Sequence, residues 1–243
     1  MRYIALTDKG KKTIVNQDIY KLPPETFLDN KQKYLFILCD GMGGHNAGNI
    51  ASYYTAQWLF KEFYEENPQK YLRYWFLRKI KSINEKIYQM GLKNSAYYKM
   101  GTTLVAFLMD GNKGYVFSVG DSRLYLYSNR ILTQITEDQS IVWTRYKSGQ
   151  ITKNQLIEQP DKNVILGAIG LPHPPEININ TVKLKKDDVI LMCSDGITDV
   201  LVDTEIKNLL GTPMNLKYKG EELLDAARLK GSIDDATIIL IKK

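Results

Sequence analysis

Aspartates stand at the ends of several apolar runs in this sequence of 243 residues. Asp40 and Asp195 each follow an apolar run and precede a glycine, Asp121 follows a third run, and Asp234 comes just before a fourth. One such aspartate is ordinary turn chemistry. Several carboxylates gathered at the edge of one buried core repel one another and raise each other's pKa unless a cation neutralises them. The pattern therefore predicts a metal site built from Asp40, Asp195 and Asp234.

The expected metal is Mg²⁺ or Mn²⁺. These ions prefer oxygen ligands, whereas zinc and copper recruit histidine or cysteine, and the chain has only two histidines, His45 and His173. Its two cysteines, Cys39 and Cys193, lie inside apolar runs and are predicted to be buried thiols. The carbonyl of Gly41 is a further candidate ligand, because a glycine lets the backbone approach an ion closely.

A glycine-rich loop follows Asp40 and leads into a predicted helix. It covers residues 41–48, reads GMGGHNAG, and exposes backbone amides at the helix N-terminus. Anions are favoured there because the unpaired N–H groups and the helix dipole both present positive charge. Joined to the carboxylates, the loop indicates chemistry on a phosphate group.

The elements that must position these residues are strands interspersed with helices. Apolar runs predict strands over 34–39, 103–108, 115–120, 189–194 and 238–241, with a hairpin turn at 110–114. Helical spacing of apolar positions predicts helices over 47–58 and 72–90. Antiparallel neighbours would bring the aspartate-bearing ends together. The expected class is α+β, with two mainly antiparallel sheets packed face to face and helices outside.

Two features of the chain's organisation follow from the same patterns. The Asp-Gly pairs at 40–41 and 195–196 are each predicted to form a sharp turn after a buried strand. Residues 137–175 lose strand periodicity and gain four prolines, which predicts an irregular or partly helical insertion. No linker or repeat stands out, so one domain over residues 1–243 is expected.

Bulk properties exclude several classes of protein. No apolar run approaches the roughly 18 residues of a membrane span, and the N-terminus lacks the apolar core of a signal peptide, so a cytoplasmic protein is expected. The net charge is +6 and the pI about 9.0, but the lysines are spread through the chain without a nucleic-acid motif. No nucleic-acid or membrane partner is expected, and a phosphorylated substrate suits the charge equally well.

Six segments in order along the chain carry a family resemblance. They are NQD at 16–18, DGMGGH at 40–45 with AG at 47–48 and AS at 51–52, MGTT at 100–103, VGDSR at 119–123, SDGIT at 194–198, and GSIDDAT at 231–237. With these segments the chain resembles the bacterial branch of the metal-dependent protein phosphatases, the PPM or type 2C serine/threonine phosphatases. The resemblance extends over essentially the whole chain.

The resemblance implies a four-layer α-β-β-α sandwich and a role for each metal ligand. Asp40 would bridge two metal ions, one of which would also bind the carbonyl of Gly41. Asp195 and Asp234 would hold the other ion. Asp121 matches the position that helps to hold a third, weaker ion in bacterial members.

The remaining catalytic roles also come from the resemblance. Asp18 would not bind an ion itself but would contact the groups that do. The leaving oxygen would take its proton from either His45 or a metal-held water. Residues 137–175 would be the family's variable flap, which touches substrate. The implied reaction is hydrolysis by a metal-activated water, without a covalent intermediate.

The chain departs from the family where substrate phosphate is expected to bind. Thr13 stands in place of the arginine that usually grips the phosphate, three residues before Asn16. Lys12 or Lys11 could replace it, although a lysine offers a point charge in place of a rigid two-pronged donor. Alternatively both lysines are solvated surface charges. We expect weaker phosphate binding and a poorer KM, but an active enzyme.

Other departures lie near the expected site. Gln17 replaces a glutamate that many members carry, and Asp235 replaces the usual asparagine beside Asp234, where it either adds charge to the site or faces solvent. Gln139 and Gly167 stand where the family usually has histidine and arginine on the flap side. Substrate recognition is therefore less well specified by the sequence than metal binding.

The function expected from the sequence is hydrolysis of phosphoserine and phosphothreonine in proteins, by a monomer that opposes a cellular serine/threonine kinase. Two alternatives stay open. One is a phosphatase-fold module that binds phosphoproteins with little or no turnover, because Thr13 and Gly167 weaken the grip on phosphate. The other is a phosphatase of small phosphate esters.

Overall fold

The computed structural model describes residues 1–11, 14–24, 33–43 and 47–243. The strands are β1 (Arg2–Asp8), β2 (Asp18–Lys21), β3 (Tyr34–Met42), β4 (Gly101–Thr102), β5 (Leu104–Asp110), β6 (Lys113–Val119), β7 (Arg123–Ser128), β8 (Ile131–Gln134), β9 (Asn178–Lys183), β10 (Val189–Cys193) and β11 (Ala236–Lys242). The helices are α1 (Gly48–Glu66), α2 (Leu72–Lys93), α3 (Ile141–Lys147), α4 (Asp195–Thr198), α5 (Asp203–Gly211) and α6 (Leu216–Leu229), with 3-10 turns at Ser95–Tyr97 and Lys153–Glu158.

The strands form two antiparallel sheets. The first sheet has the order β1-β11-β10-β7-β8, and the second has the order β2-β3-β5-β6-β9, with β4 paired to the end of β3. Alternation along the strands explains how the sheets pack. In β3, Phe36 and Leu38 face the first sheet and meet Ile190 and Ile239 in a buried apolar cluster. The residue between them, Ile37, faces the helices on the other side.

Helices cover the outer face of each sheet. The helices α1 and α2 pack on the second sheet through side chains such as Leu59 and Phe76, and the Phe76 ring stacks on Phe117 with centroids 4.1 Å apart. The helices α5 and α6 cover the first sheet through Ile206 and Leu223. The predicted α-β-β-α sandwich of class α+β is therefore confirmed.

Most of the predicted elements are present. The predicted strands and both long helices form, Gly111 turns the hairpin with φ at 60°, and both cysteines are buried. The stretch 137–175 contains only α3 and the 3-10 turn Lys153–Glu158, in agreement with an irregular insertion. No helix among the described residues is both long enough and apolar enough to span a bilayer.

The two predicted Asp-Gly turns are wrong. Strand β3 continues through Asp40 to Met42, because Gly41 and Met42 find a partner in β4. Asp195 opens the short helix α4 directly after β10. In both places the backbone hydrogen bonds of a regular element take the place of a turn.

Candidate active site

Asp40 lies opposite Asp18 across the pair β2–β3. The backbone N–H of Asp40 donates to the hydroxyl of Thr103 at 3.0 Å, and its carbonyl accepts from the Thr103 N–H at 2.8 Å. The N–H of Gly41 donates to the carbonyl of Gln17 at 3.1 Å. These bonds fix the backbone on both sides of the Asp40 carboxylate.

Asp18 joins the two sheets. Its Oδ2 accepts a hydrogen bond of 2.7 Å from the hydroxyl of Ser194, the residue between β10 and Asp195. Its Oδ1 is buried and has no hydrogen-bond partner among the described residues. Burial, and to a lesser extent the charges of Asp235 and Asp234, raise the pKa of Asp18 to about 7. Oδ1 of Asp18 is therefore able to accept a hydrogen bond beside Asp40.

The predicted aspartates are close enough to act on one another's charge. The pKa of Asp40 is raised well above its usual range, first by burial and then by repulsion from four other carboxylates, those of Asp18, Asp195, Asp121 and Asp234. The pKa of Asp195 is raised well above its usual range by burial and by Asp199, Asp121, Asp234 and Asp18. Acids from both sheets therefore act on one another, as the sequence predicts for their strand ends.

Asp121 lies on one side of this group. It follows β6, after Gly120 with φ at 94°, and its pKa is raised to about 7 by burial and then by Asp138 and Asp199. The charge of Arg123 acts in the opposite direction. The sequence identifies Asp121 through the same pattern, an apolar run that ends in aspartate.

The carboxylates fit a hard divalent cation by their chemistry. They are oxygen donors, they repel one another, and one of their oxygens is buried without a partner. Within the described part of the chain, no three side chains of histidine, cysteine, aspartate or glutamate are arranged so that they could hold an ion as they stand. A cation would have to draw the carboxylates together.

Glycines allow the backbone of β3 to lie against the start of α1. A Cβ on Gly41 would come within 2.3 Å of the carbonyl oxygen of Gly48, and a Cβ on Gly48 within 2.6 Å of the carbonyl carbon of Gly41. No side chain fits at either position. The close approach brings the N-terminal end of α1 next to Asp40.

Comparison with known proteins assigns the family. The sequence profile described as protein phosphatase 2C matches residues 8–228. The protein phosphatase PhpP of Streptococcus pneumoniae is 33% identical over 246 residues, which cover 99% of this chain and 97% of PhpP. The crystal structure of the serine/threonine phosphatase Stp1 from Staphylococcus aureus superposes with a TM-score of 0.91 at 33% identity, over 99% of this chain and 94% of Stp1.

The chain belongs to the protein phosphatase 2C family. The serine/threonine phosphatase PstP/Ppp of Mycobacterium tuberculosis also has this fold, with a TM-score of 0.84 at 30% identity over 98% of this chain and 97% of PstP. The family is metal-dependent, in agreement with the converging carboxylates.

Asp235 has a structural role in this phosphatase 2C chain that the sequence did not reveal. The side chain is only 4% exposed, so it does not face solvent. Its two oxygens accept from the backbone N–H groups of Gly10 and Gln17, each at 2.8 Å. Asp235 therefore ties the segments after β1 and before β2 to the start of β11, next to Asp234, and its charge raises the pKa of Asp18.

Asp199 is a second acid that sequence reasoning missed. It lies four residues after Asp195, at the end of α4, and its charge raises the pKa of both Asp195 and Asp121. The ammonium of Lys162, from the 137–175 segment, lies 3.4 Å from its carboxylate. The spacing of four residues, one helical turn, was the available signal.

The 137–175 segment borders a cavity of about 570 Å³. The cavity is lined on one side by Glu137, Gln139 and Trp143, and on the other by residues 166–168 and 171–176. Gln139 and Gly167, the two departures from the family pattern, contact each other here. The cavity has the size of a small-molecule or side-chain pocket.

Three predicted site residues, Lys12, Thr13 and His45, lie outside the described residues. The residue before them, Lys11, is exposed, and its backbone N–H donates to the carbonyl of Ile233 at 2.8 Å. The chain at Lys11 therefore runs beside the backbone that leads into Asp234.

Proposed function

We propose that this phosphatase 2C chain hydrolyses phosphoserine and phosphothreonine in proteins. The observation that carries the proposal is the meeting of acids from both sheets: Asp18 lies opposite Asp40 on the second sheet and accepts a hydrogen bond from Ser194, the residue before Asp195 on the first. PhpP matches this chain in sequence, and Stp1 in structure, over nearly their whole lengths, and they are named as a protein phosphatase and a serine/threonine phosphatase.

We assign the metal ligands from the same group. Asp40 and the carbonyl of Gly41, with Asp195 and Asp234, would hold two Mn²⁺ or Mg²⁺ ions, and Asp121 would contribute to a third. A divalent cation bound there supplies Lewis-acid chemistry, because it lowers the pKa of water and withdraws charge from phosphoryl oxygens.

The chain's own residues orient this site. The Ser194 hydroxyl holds one oxygen of Asp18, and the other oxygen is buried and can accept a hydrogen bond. Thr103 fixes the backbone of Asp40. We assign proton donation to the leaving oxygen either to His45 or to a water molecule at the site. Phosphate contact is assigned to Lys12 and Thr13, which bind phosphate more weakly than an arginine would.

We assign protein substrates to this site through the 137–175 segment, which acts as the flap. Its cavity has room for residues that flank a phosphorylated side chain. We further propose that the protein is a cytoplasmic monomer, forms one domain over residues 1–243, and reverses the action of a serine/threonine kinase.

The decisive test is release of phosphate from a phosphothreonine peptide. We expect turnover with Mn²⁺, none with a chelator, and a loss of about a thousandfold or more in kcat for Asp40→Asn, because electrostatic stabilisation of the transition state is the largest catalytic term. The matched control is Asp225→Asn, since Asp225 is an exposed aspartate on α6 whose ion pair with Arg228 contributes little.

The same assay separates the alternatives. Phosphate release that neither the chelator nor Asp40→Asn reduces would contradict the metal mechanism. A binding module would bind Mn²⁺ and phosphopeptides but cleave none of several peptides over long incubation. A phosphatase of small phosphate esters would cleave p-nitrophenyl phosphate with a higher kcat/KM than any phosphopeptide.

A further inference from the structure

A second cavity, of about 770 Å³, lies at the end of the first sheet opposite to the aspartates. It is lined by Arg2 at the start of β1, Val189 at the start of β10 and Lys242 at the end of β11. The aspartate site lies at the other ends of β10 and β11, next to Asp195 and Asp234. The two sites are therefore separated by the length of the strands.

The lining of this cavity is cationic. Four basic residues border it, Arg2, Lys217, Lys219 and Lys242, against one acid, Asp187. Asp187 is paired with Lys242 at 3.0 Å. Neither Arg2 nor Lys219 has a carboxylate at ion-pair distance in the described part of the chain. Lys217 is paired with Glu221 at 3.7 Å. After these two ion pairs, Arg2 and Lys219 remain as positive charges of the lining that have no ion-pair partner among the described residues.

Lys219 is the most informative of these residues. Its side chain is 9% exposed, and its ammonium donates to the carbonyl of Leu210 in the last turn of α5. That bond caps α5 but occupies one of three N–H donors. Burial and the charge of Lys242 lower the pKa of Lys219. A buried ammonium with donors to spare is costly unless an anion or water meets it.

The surroundings of Lys219 add to the preference for an anion. Lys219 lies in the first turn of α6, which contains no acidic residue. The positive end of the helix dipole and the Lys219 ammonium therefore both border the cavity. The lining also includes Ile4 and Tyr127, whose side chains lie on the same face of the first sheet as α6. The volume lies within the range of about 300 to 1,000 Å³ typical of small-molecule sites.

We propose that this cavity binds a small organic anion, with a phosphate, sulfonate or carboxylate head at Lys219 and Arg2 and an apolar body against Ile4 and Tyr127. The head would accept the free donors of Lys219 and lie at the N-terminal end of α6. The site is separate from the phosphatase centre, so a ligand there would occupy the protein together with substrate.

The test uses 8-anilinonaphthalene-1-sulfonate, a fluorescent sulfonate on an aromatic body, titrated into the full chain. We expect saturable binding of one molecule that saturating Mn²⁺ does not alter. Lys219→Met should weaken it by roughly tenfold or more, since a hydrogen bond to a charged group is lost. Lys219→Arg should keep the affinity within about threefold, because it retains the charge.

The control is Lys207→Met, which removes an exposed lysine of α5 that does not line the cavity and should leave binding unchanged. If Lys219→Met fails to fold, Arg2→Gln replaces it and should weaken binding several-fold. Naphthalene-1-sulfonate should displace the probe, whereas naphthalene should not. Equal displacement by both compounds, loss of binding on addition of Mn²⁺, or wild-type affinity in Lys219→Met would each overturn the proposal.

Discussion

The side-chain oxygen of Gln139 occupies the space above Gly167, where a Cβ would lie 2.0 Å from it. That oxygen accepts the backbone N–H of Gly120 at 2.9 Å, and the Gln139 amide donates to the carbonyl of Glu176 at 2.9 Å. Gln139 therefore connects Gly120, the residue before Asp121, with Glu176, the residue directly after the 137–175 segment. A side chain at position 167 is incompatible with this arrangement.

We expect Gly167→Ala to lower the free energy of unfolding by about 1 to 3 kcal/mol, because the new methyl group displaces the Gln139 oxygen. In the double variant Gly167→Ala with Gln139→Ala, the clash is absent. The effects of the two substitutions should therefore not add, and the double variant should be more stable than their sum predicts. Urea unfolding of the four proteins measures this coupling, and strictly additive effects would contradict the steric explanation.

The pair also shows where sequence reasoning stops. The sequence identified Gln139 and Gly167 as two separate departures from the family, because a local pattern carries no information on contacts 28 residues apart in the chain. The aspartates at strand ends were predictable, since an apolar run and its last residue are adjacent in sequence. The fold class followed from the same runs, because a strand that is buried on both faces is a continuous apolar segment in the sequence.

The contacts of Asp235 were unpredictable for the same reason. Its partners Gly10 and Gln17 lie more than 200 positions away, and only the packing of β1, β2 and β11 brings them together. The sequence allowed two explanations, a charge in the site or a residue in solvent. Burial excludes the second.

Asp235→Ala should destabilise the protein without added metal. Two backbone N–H groups, one of them fully buried, lose their acceptor, at a cost of roughly 2 to 4 kcal/mol. The neighbouring substitution Asp234→Ala is the control, since it should change the response to Mn²⁺ more than the stability of the metal-free protein. Chemical unfolding with and without Mn²⁺ distinguishes them. Equal losses of stability in metal-free protein would show that Asp235 has no special structural role.

Asp40→Asn should stabilise the protein when no metal is added. The substitution keeps the shape of the side chain and removes a buried charge that four other carboxylates repel. We expect a gain of roughly 1 to 2 kcal/mol, at the cost of function. The stabilisation that Mn²⁺ gives to the unmodified chain should shrink or vanish, because a ligand that binds the folded state stabilises it in proportion to its affinity. Thermal unfolding measures both effects, and a less stable metal-free variant with the full Mn²⁺ response would refute the prediction.

Arg123 and Asp138 form a buried ion pair between β7 and the start of the 137–175 segment. The guanidinium donates to both carboxylate oxygens over 2.7 to 3.0 Å, and it also donates to the hydroxyl of Tyr125 at 3.0 Å. The two side chains are 11% and 4% exposed. The Trp143 ring lies 5.8 Å from the guanidinium carbon, so the pair also contacts α3.

Arg123→Lys should therefore lower the free energy of unfolding by roughly 2 to 4 kcal/mol, since a lysine cannot reproduce the two-pronged contact and leaves Asp138 buried with fewer donors. The chain contains a control in Arg145, which makes a bidentate contact to Asp161 through its two terminal nitrogens at 2.6 and 2.8 Å. Those side chains are 35% and 29% exposed, so Arg145→Lys should cost less than about 1 kcal/mol. Urea unfolding of both variants compares two bidentate arginine–aspartate pairs at two depths of burial. Equal costs would mean that burial does not decide the contribution of the Arg123 pair.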